Sequence, residues 1–461
     1  MSNLVYQTLI VGGGFTGLFT ALHLSHQHYP RSVILIDKEE RFCFKPLLYE
    51  YVSGEMDAEQ VWPRFEELLK GSGVIFVRDA VEAIDLKQRE IKLVSGNSYN
   101  YSNLVLGLGS VTGYFGVEGA QENALPLRSG EDAIAIDKHL RECLQTAIQI
   151  QDPEQRKKLL TVAIIGGGPS GIEIAATLAD LLPNWYQGMG GNPQEIRIVI
   201  INHGQEILQG DINSHLQSTA EQELQKRAVP VEIILGAEAT AINKESVQYK
   251  RDDKTETLPT ATVIWTTGTN THPLIKKLEL PDEHRDKHGR LVVTPTLQLP
   301  DFPEVFAGGD CAAVEDKDFP PTAQVAYQQG SAIAHNLIAL AFGHELKTVE
   351  VNIRGTLLKL GIENSAANLF DRYEVTGEIG HLIRQGTYLE LLPTPIHDLK
   401  IATEWLKDEI FTHHLYPIQA GDVIKWVGGA VLAAVVARKL IKAFSEGEKE
   451  QKSQLPLLQN S

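Results

Sequence analysis

One local pattern occurs twice in the chain, and it narrows the fold more than any other feature. Residues 4–11 form a short apolar run that ends in Gly12-Gly13-Gly14-Phe15-Thr16-Gly17. Leu18, Ala21, Leu22 and Leu24 follow at helical spacing, and a second apolar run, 32–36, closes on Asp37, 20 residues beyond the last glycine. A strand, a G-x-G-x-x-G turn, a helix and a strand ending in an acid form a dinucleotide-binding unit. Gly12 permits the tight turn, Gly14 lets a pyrophosphate approach the backbone, and Gly17 lets helix and strand pack closely. The helix N-terminus, with Phe15 and Thr16 at its start, offers free N–H groups and partial positive charge to the phosphates. Asp37, followed by Lys38, accepts the hydroxyl hydrogens of an adenosine ribose.

The second copy is an apolar strand at 159–165, Gly166-Gly167-Gly168-Pro169-Ser170-Gly171, a helix over 172–182 and a strand over 196–201. Two such units imply two dinucleotides, or one dinucleotide and an internal duplicate. Where Asp37 stands in the first unit, the second has Asn202, followed by His203. Asn202 lacks the carboxylate that binds a 2′-hydroxyl and repels a 2′-phosphate. Two readings stay open: a turn-starting asparagine, or relaxed cofactor choice that admits NADPH.

Composition removes several other classes. The chain has 461 residues, 43% hydrophobic and 22% charged, which is globular and long enough for two to four domains. Lys+Arg number 42 against 59 Asp+Glu, so the balance is 42 − 59 = −17. An acidic surface argues against nucleic acid, whose phosphates need a surplus of Lys and Arg. The three cysteines, Cys43, Cys143 and Cys311, form no CxxC pair, so a disulfide scaffold, a structural zinc site and a dithiol motif are not expected. No histidine spacing points to a metal. The apolar start lacks a basic leader and a cleavage site, so a cytoplasm-like compartment is expected.

Further elements point to one superfamily. Val305-Phe306-Ala307-Gly308-Gly309-Asp310 resembles the strand that closes FAD onto two-dinucleotide flavoproteins, with Asp310 against the ribityl or pyrophosphate region. Residues 104–109 and 263–268, ending in Gly109 and Gly268, resemble that superfamily's return strands. The resemblance implies an α/β protein of two Rossmann-like domains, the NAD(P) domain inserted in the FAD domain, plus a C-terminal membrane-associating extension. The expected boundaries are 1–112 for the first part of the FAD domain and 113–298 for the NAD(P)H domain. The FAD return follows at 299–345, a quinone-site and membrane region at 346–445, and a disordered tail at 446–461.

Within the superfamily, disulfide reductases and sulfide:quinone oxidoreductases need paired cysteines. The chain instead resembles the type II NAD(P)H:quinone oxidoreductases, over residues 5 to 410. Three segments carry the likeness: Phe44-Lys45-Pro46-Leu47-Leu48-Tyr49-Glu50, Gly171-Ile172-Glu173, and the Ala323-Gln324-Val325-Ala326-Tyr327-Gln328 portion of 320–330. The wording of the first is most similar to cyanobacterial and chloroplast members, where the quinones are plastoquinone and a demethylphylloquinone-type naphthoquinone. The resemblance implies non-covalent FAD, NADH or NADPH as co-substrate, and hydride transfer to FAD followed by two-electron reduction of a membrane quinone without proton pumping. It places Glu173 between the nicotinamide and flavin sites, and Ala323 and Gln324 at the edge between flavin and quinone. Gln328, four residues on, shares the face of Gln324. Lys400 stands near the quinone, and Lys45 borders the flavin. A soluble flavin reductase of another acceptor such as ferredoxin, or a sulfide:quinone oxidoreductase, is the alternative.

A quinone reductase must reach a bilayer. Residues 426–437 are charge-free over 12 positions, about 18 Å as helix, where a span needs about 20 residues. Trp426 precedes the run and Arg438, Lys439 and Lys442 follow it, which fits an anchor dipping into one leaflet on the cytoplasmic face, of a thylakoid or plasma membrane in the cyanobacterial reading. Residues 401–411 add a second amphipathic contact, so 401–444 is the expected bilayer surface. Packing of the Gly428-Gly429 and alanine-rich run against another helix, as in a homodimer, is the competing use.

Overall fold

A computed structural model describes residues 7–210, 214–353, 355–369 and 373–393. The chain divides into two compact units, Met1–Arg354 and Gly355–Ser461.

The first unit holds two parallel sheets. The larger runs, in spatial order, through Gln298–Leu299, Phe302–Ala307, Asn103–Leu106, Gln7–Val11, Ser32–Asp37 and Ile75–Arg78. All neighbours are parallel except the outer Gln298–Leu299. The second sheet is wholly parallel, in the order Glu232–Leu235, Arg197–Asn202, Thr161–Ile165, Thr262–Trp265 and Leu125–Pro126. The larger sheet therefore takes strands from both sides of the second sheet in sequence, which is the insertion the motifs imply. Central strands such as Thr161–Ile165 are buried at every position, as a strand covered on both faces must be. Two short segments, Ser110–Thr112 and Thr269–Thr271, pair antiparallel where the chain leaves one sheet and returns to it.

Local chemistry explains where elements stop. The strand expected at 159–165 begins only at Thr161, because Asp152 and Pro153 start a helix, Pro153–Leu160, that consumes the first two leucines. The Asp152 side chain accepts the Glu154 N–H at 3.0 Å, and proline occupies the first helical position, where no donor is needed. The helix after the second glycine turn runs further than its apolar spacing indicates, from Pro169 to Gly188, with Pro183 inside it. Asp252 and Asp253, at φ 48° and 60°, close the hairpin Ser246–Arg251/Lys254–Pro259.

The helix after the first glycine turn, Phe15–His26, packs on the helix Ala323–Phe342. Thr20 Oγ1 donates to the Gly330 carbonyl at 3.0 Å, and Thr16 Oγ1 to that of Ala326 at 3.2 Å. A Cβ on Gly330 would stand 2.6 Å from the Thr16 carbonyl oxygen, so glycine sets the closeness of this crossing. Residues 346–353 belong to this unit: Val349 N–H donates to the Pro295 carbonyl, Lys317 Nζ to that of Val349, and Asn352 pairs with Gln328. The first compact unit accordingly runs to Arg354, past the 345/346 boundary expected for the return of the FAD domain.

The second unit has an antiparallel sheet, Gly355–Gly361, Asn364–Leu369 and Tyr373–Val375, with a helix, Gly377–Leu391. Gly380 lets that helix lie on the middle strand, since a Cβ there would be 2.2 Å from the Ser365 carbonyl oxygen. No described helix is long and apolar enough to cross a membrane. Lys400, the expected bilayer surface at 401–444 and the tail at 446–461 lie outside the described residues.

Candidate functional site

The first glycine turn separates two demands on glycine. Gly12 has φ +95°, and a Cβ there would lie 2.6 Å from the Gly107 carbonyl oxygen; a Cβ on Gly17 would lie 1.9 Å from that of Gly12. Both are required by the backbone itself. Gly14 is different. Its φ is an ordinary −67°, it is exposed, and the nearest protein atom to a Cβ would be 3.9 Å away. Nothing in the chain asks for glycine there, so its absent side chain is clearance for a ligand at the helix N-terminus. Asp37 stands at the end of the adjacent strand and accepts N–H groups on both oxygens, Gly13 at 2.5 Å and Glu39 at 2.8 Å. Burial raises its carboxyl above the usual range while these two donors pull it down. Each oxygen keeps a lone pair for a ribose hydroxyl. Lys38 turns to the surface and pairs with Glu39 at 3.3 Å.

The second turn repeats the division. Gly166, at φ +108°, and Gly171, whose Cβ would be 1.9 Å from the Gly166 carbonyl oxygen, are backbone requirements. Gly168 has φ −77° and no protein atom within 4 Å of a Cβ. Pro169 opens the helix without needing a donor, and Ser170 follows at partial exposure. Glu173 is buried, one turn into this helix. Asn202 occupies the place of Asp37 and does more than start a turn. Its Oδ1 accepts the Gly167 N–H at 2.9 Å, while its Nδ2 donates to the carbonyls of Gly204 at 3.2 Å and Glu206 at 2.9 Å. His203 beside it is exposed.

Around Gly308-Gly309-Asp310 the chain gathers several distant segments. Gly309, at φ +72°, donates its N–H to Gln329 Oε1 at 2.6 Å. Ser110 Oγ donates to Asp310 Oδ2 at 2.8 Å, and Arg128 Nη2 donates to Ser110 Oγ at 2.7 Å and to its carbonyl at 3.1 Å. Lys45 stands within Coulombic reach of Arg128 and Asp310, with its side chain solvent-accessible at one end and protein packed around the rest. Burial lowers its ammonium below the usual basicity, and the Arg128 charge lowers it further. The Arg128 guanidinium is lowered by burial too. The backbone reversals at Gly109, φ +61°, and Gly268, φ +76°, end the two return segments; a Cβ on Gly268 would lie 2.2 Å from the Gly113 carbonyl oxygen.

The glutamines on the helix Ala323–Phe342 divide their work. Thr322 caps the helix through the Val325 N–H at 3.3 Å, placing Ala323 first and Gln324 in the opening turn. Gln328, expected beside Gln324 as a quinone ligand, is committed elsewhere. Its Oε1 accepts the Asn352 N–H at 2.9 Å and its Nε2 donates to the Asn352 carbonyl at 3.1 Å. With both ends of the amide engaged it tethers residue 352 to the helix. Gln329, Ser110 and Arg128 join the cluster around Gly309 and Asp310, and motif reading did not single them out. Their contacts cross 18 to 200 residues, although Arg128 directly precedes a legible capping box, Ser129 with Asp132.

The three cysteines are free and at least partly buried. Burial pushes Cys43 up to about 12 and Cys311 up to about 11, and raises Cys143 as well, so none is a thiolate at neutral pH. No cluster suited to a metal ion occurs among the described residues.

The profile of the pyridine nucleotide-disulphide oxidoreductases matches residues 6–330. The chain belongs to that family. Within it, the chain is 34% identical over 408 residues to the demethylphylloquinone reductase NdbB of Synechocystis sp., covering 86% of this chain and 95% of that one. It is 30% identical to the type II NADH:quinone oxidoreductase Ndh of Mycobacterium tuberculosis over 72% of each. The fold is similar to that of NDH2 from Plasmodium falciparum in complex with NADH, with a TM-score of 0.78 at 19% identity over 87% of this chain and 98% of that one. The family is built around FAD and a nicotinamide nucleotide, and both glycine cradles fit a dinucleotide. Asp37 and the Asp310 cluster stand with the first cradle, Glu173 and Asn202 with the second.

Proposed function

We propose that the chain is an FAD-dependent, non-proton-pumping NAD(P)H:quinone oxidoreductase that accepts NADPH as well as NADH and reduces a naphthoquinone of the demethylphylloquinone type or plastoquinone. The observation that carries the two-nucleotide reading is the pair Gly14 and Gly168, glycines that neither φ nor packing requires. Bound FAD supplies hydride acceptance and electron transfer to the quinone; the residues of the chain supply position and charge. Asp37 holds the FAD ribose, and the N-termini of the two turn helices hold the pyrophosphates. Glu173 orients the nicotinamide. Asn202 fixes the second turn without presenting a carboxylate to a 2′-phosphate.

Gln324 hydrogen-bonds a quinone carbonyl, offering an amide where a charge would be costly, and Lys400 makes the second polar contact. Residues 401–444 rest on the cytoplasmic face of a membrane. The test is quinone reduction by the purified protein with each nucleotide, with and without anionic vesicles. Expected is turnover with NADH and NADPH, and co-flotation with vesicles that is lost when Arg438, Lys439 and Lys442 become Gln. Turnover that needs ferredoxin and ignores quinones overturns the reading. A dimer that does not float assigns 401–444 to protein packing.

A further inference from the structure

We infer that Gln328 is a positioning residue of the quinone reaction, a latch that ties residue 352 to the helix carrying Gln324 and so fixes where the chain departs for the second unit. This rests on the reading that sets the quinone against Gln324 and draws its second polar contact, Lys400, from the chain beyond Gly355.

Between the helix Ala323–Phe342 and the strand Gly355–Gly361, residues 344–353 form neither helix nor strand. Their path is set by ties to the first unit. Asn336, which is buried, grips the backbone of Lys347 at two points: its Nδ2 donates to the carbonyl and its Oδ1 accepts the N–H, each at 2.9 Å. The Val349 N–H donates to the Pro295 carbonyl at 2.8 Å. Gln328 makes the last tie and repeats the two-point grip on the backbone of Asn352, accepting at 2.9 Å and donating at 3.1 Å. Its Nε2 also donates to the Gln324 carbonyl at 3.2 Å. Both amide hydrogens are then spent, and a quinone carbonyl, which can only accept, finds no donor at Gln328. The glutamine acts instead through the chain it holds.

The size of the effect follows from the length of free chain. With the latch closed, the second unit starts three residues past Asn352; with it open, six residues past Val349. The effective concentration of a tethered group falls as about the −3/2 power of tether length, so this doubling costs about threefold. Hydride transfer involves the two glycine cradles, both within the first unit, and does not sense the latch. Asn352 is exposed, so the tie opens without disturbing the core.

The test uses the FAD-loaded full-length protein and three readouts: KM for a soluble naphthoquinone, the rate of flavin bleaching by NAD(P)H, and tryptic cleavage between Arg354 and Gly355 followed by mass spectrometry. Gln328→Leu is expected to raise the quinone KM about threefold or more and to leave bleaching unchanged. Cleavage should quicken about fivefold, as the loss of two exposed hydrogen bonds implies. Asn352→Pro removes the N–H that Gln328 accepts while leaving the glutamine in place. It should reproduce both changes, and the double variant should add nothing further. Asn352→Pro carries the test by itself if Gln328→Leu does not fold. A raised KM in Gln328→Leu with an unchanged KM in Asn352→Pro returns Gln328 to the quinone and overturns the inference. Unchanged KM in both variants, or additive increases in the double variant, overturns it equally. An unsubstituted protein that reduces ferredoxin and no quinone strikes the underlying reading instead.

Discussion

Asn202→Asp separates the two jobs that the second glycine turn asks of one side chain. Asparagine accepts at Oδ1 and donates twice at Nδ2, to Gly204 and Glu206. Aspartate keeps the acceptance from Gly167 and turns both donations into an anionic oxygen against carbonyl oxygens. Each lost bond in a half-buried loop costs about 1 kcal/mol, and the oxygen–oxygen contact adds to it, so the folded state is expected to lose about 2–4 kcal/mol. The same substitution places a unit charge where the 2′-phosphate of NADPH would lie. Two like charges about 4 Å apart repel by about 4 kcal/mol at an effective dielectric of about 20, and by less where water screens them. Asn202 is only partly buried, so about 1.5–3 kcal/mol is appropriate, a tenfold to hundredfold effect. The assay is kcat/KM for NADPH and for NADH at fixed ionic strength, with Tm measured alongside. The NADPH-to-NADH ratio is expected to fall at least tenfold, because the new carboxylate gives the 2′-hydroxyl an acceptor and the 2′-phosphate a repulsion. An unchanged ratio refutes the placement of Asn202 at the ribose. An unchanged Tm refutes the role given to its Nδ2 bonds.

Other expectations follow from the same geometry. His23, packed against Tyr327 at a ring distance of 6.2 Å, is lowered from 6.5 to about 4 by burial and by His26 and His335. Above pH 6.5 it is neutral in both states; as pH falls towards 4 only the unfolded chain takes up the proton, so stability declines through that window, by up to about 3 kcal/mol. His23→Gln should flatten the fall in Tm between pH 6.5 and 4.5 relative to the unsubstituted protein, and an identical fall contradicts the burial argument. Gly330→Ala puts a methyl 2.6 Å from a backbone oxygen, and overpacking of about 1–3 kcal/mol should appear as a lower Tm with faster FAD release. Glu173→Gln should slow flavin bleaching by NAD(P)H while FAD stays bound; an unchanged rate removes Glu173 from the nicotinamide site. Gln324→Leu should raise KM for quinone and leave bleaching by NAD(P)H unchanged, whereas a slowed bleaching places Gln324 elsewhere.

The parts of the site legible in sequence are those where local geometry forces a residue type. Gly12, Gly17, Gly166 and Gly171 are dictated by positive φ or by contacts within their own turns, so spacing alone reveals them, and Asp37 follows from the length of a helix and a strand. The insertion of one domain in the other followed instead from the resemblance to two-dinucleotide flavoproteins. What sequence did not reveal depends on closure of the chain over long distances. Arg128 reaches Asp310 only through a serine on a return segment, and Gln329 reaches Gly309 from inside a helix. Helical spacing put Gln324 and Gln328 on one face correctly, yet it could not show that residue 352 folds back to occupy Gln328. The helix started by Asp152-Pro153 was not read, because the apolar run behind it pointed to a strand.

The central claim is that one chain takes a hydride from NAD(P)H at the second glycine turn and delivers two electrons to a quinone from the first. Anaerobic mixing of the FAD-loaded protein with one equivalent of NADPH, followed by one equivalent of a soluble naphthoquinone, tests both halves in a single absorbance trace. The account predicts bleaching of the flavin band on the first addition and its full return on the second, with formation of one quinol per flavin. A band that NADPH and NADH both leave unbleached, or a bleached band that the quinone does not restore, would contradict it.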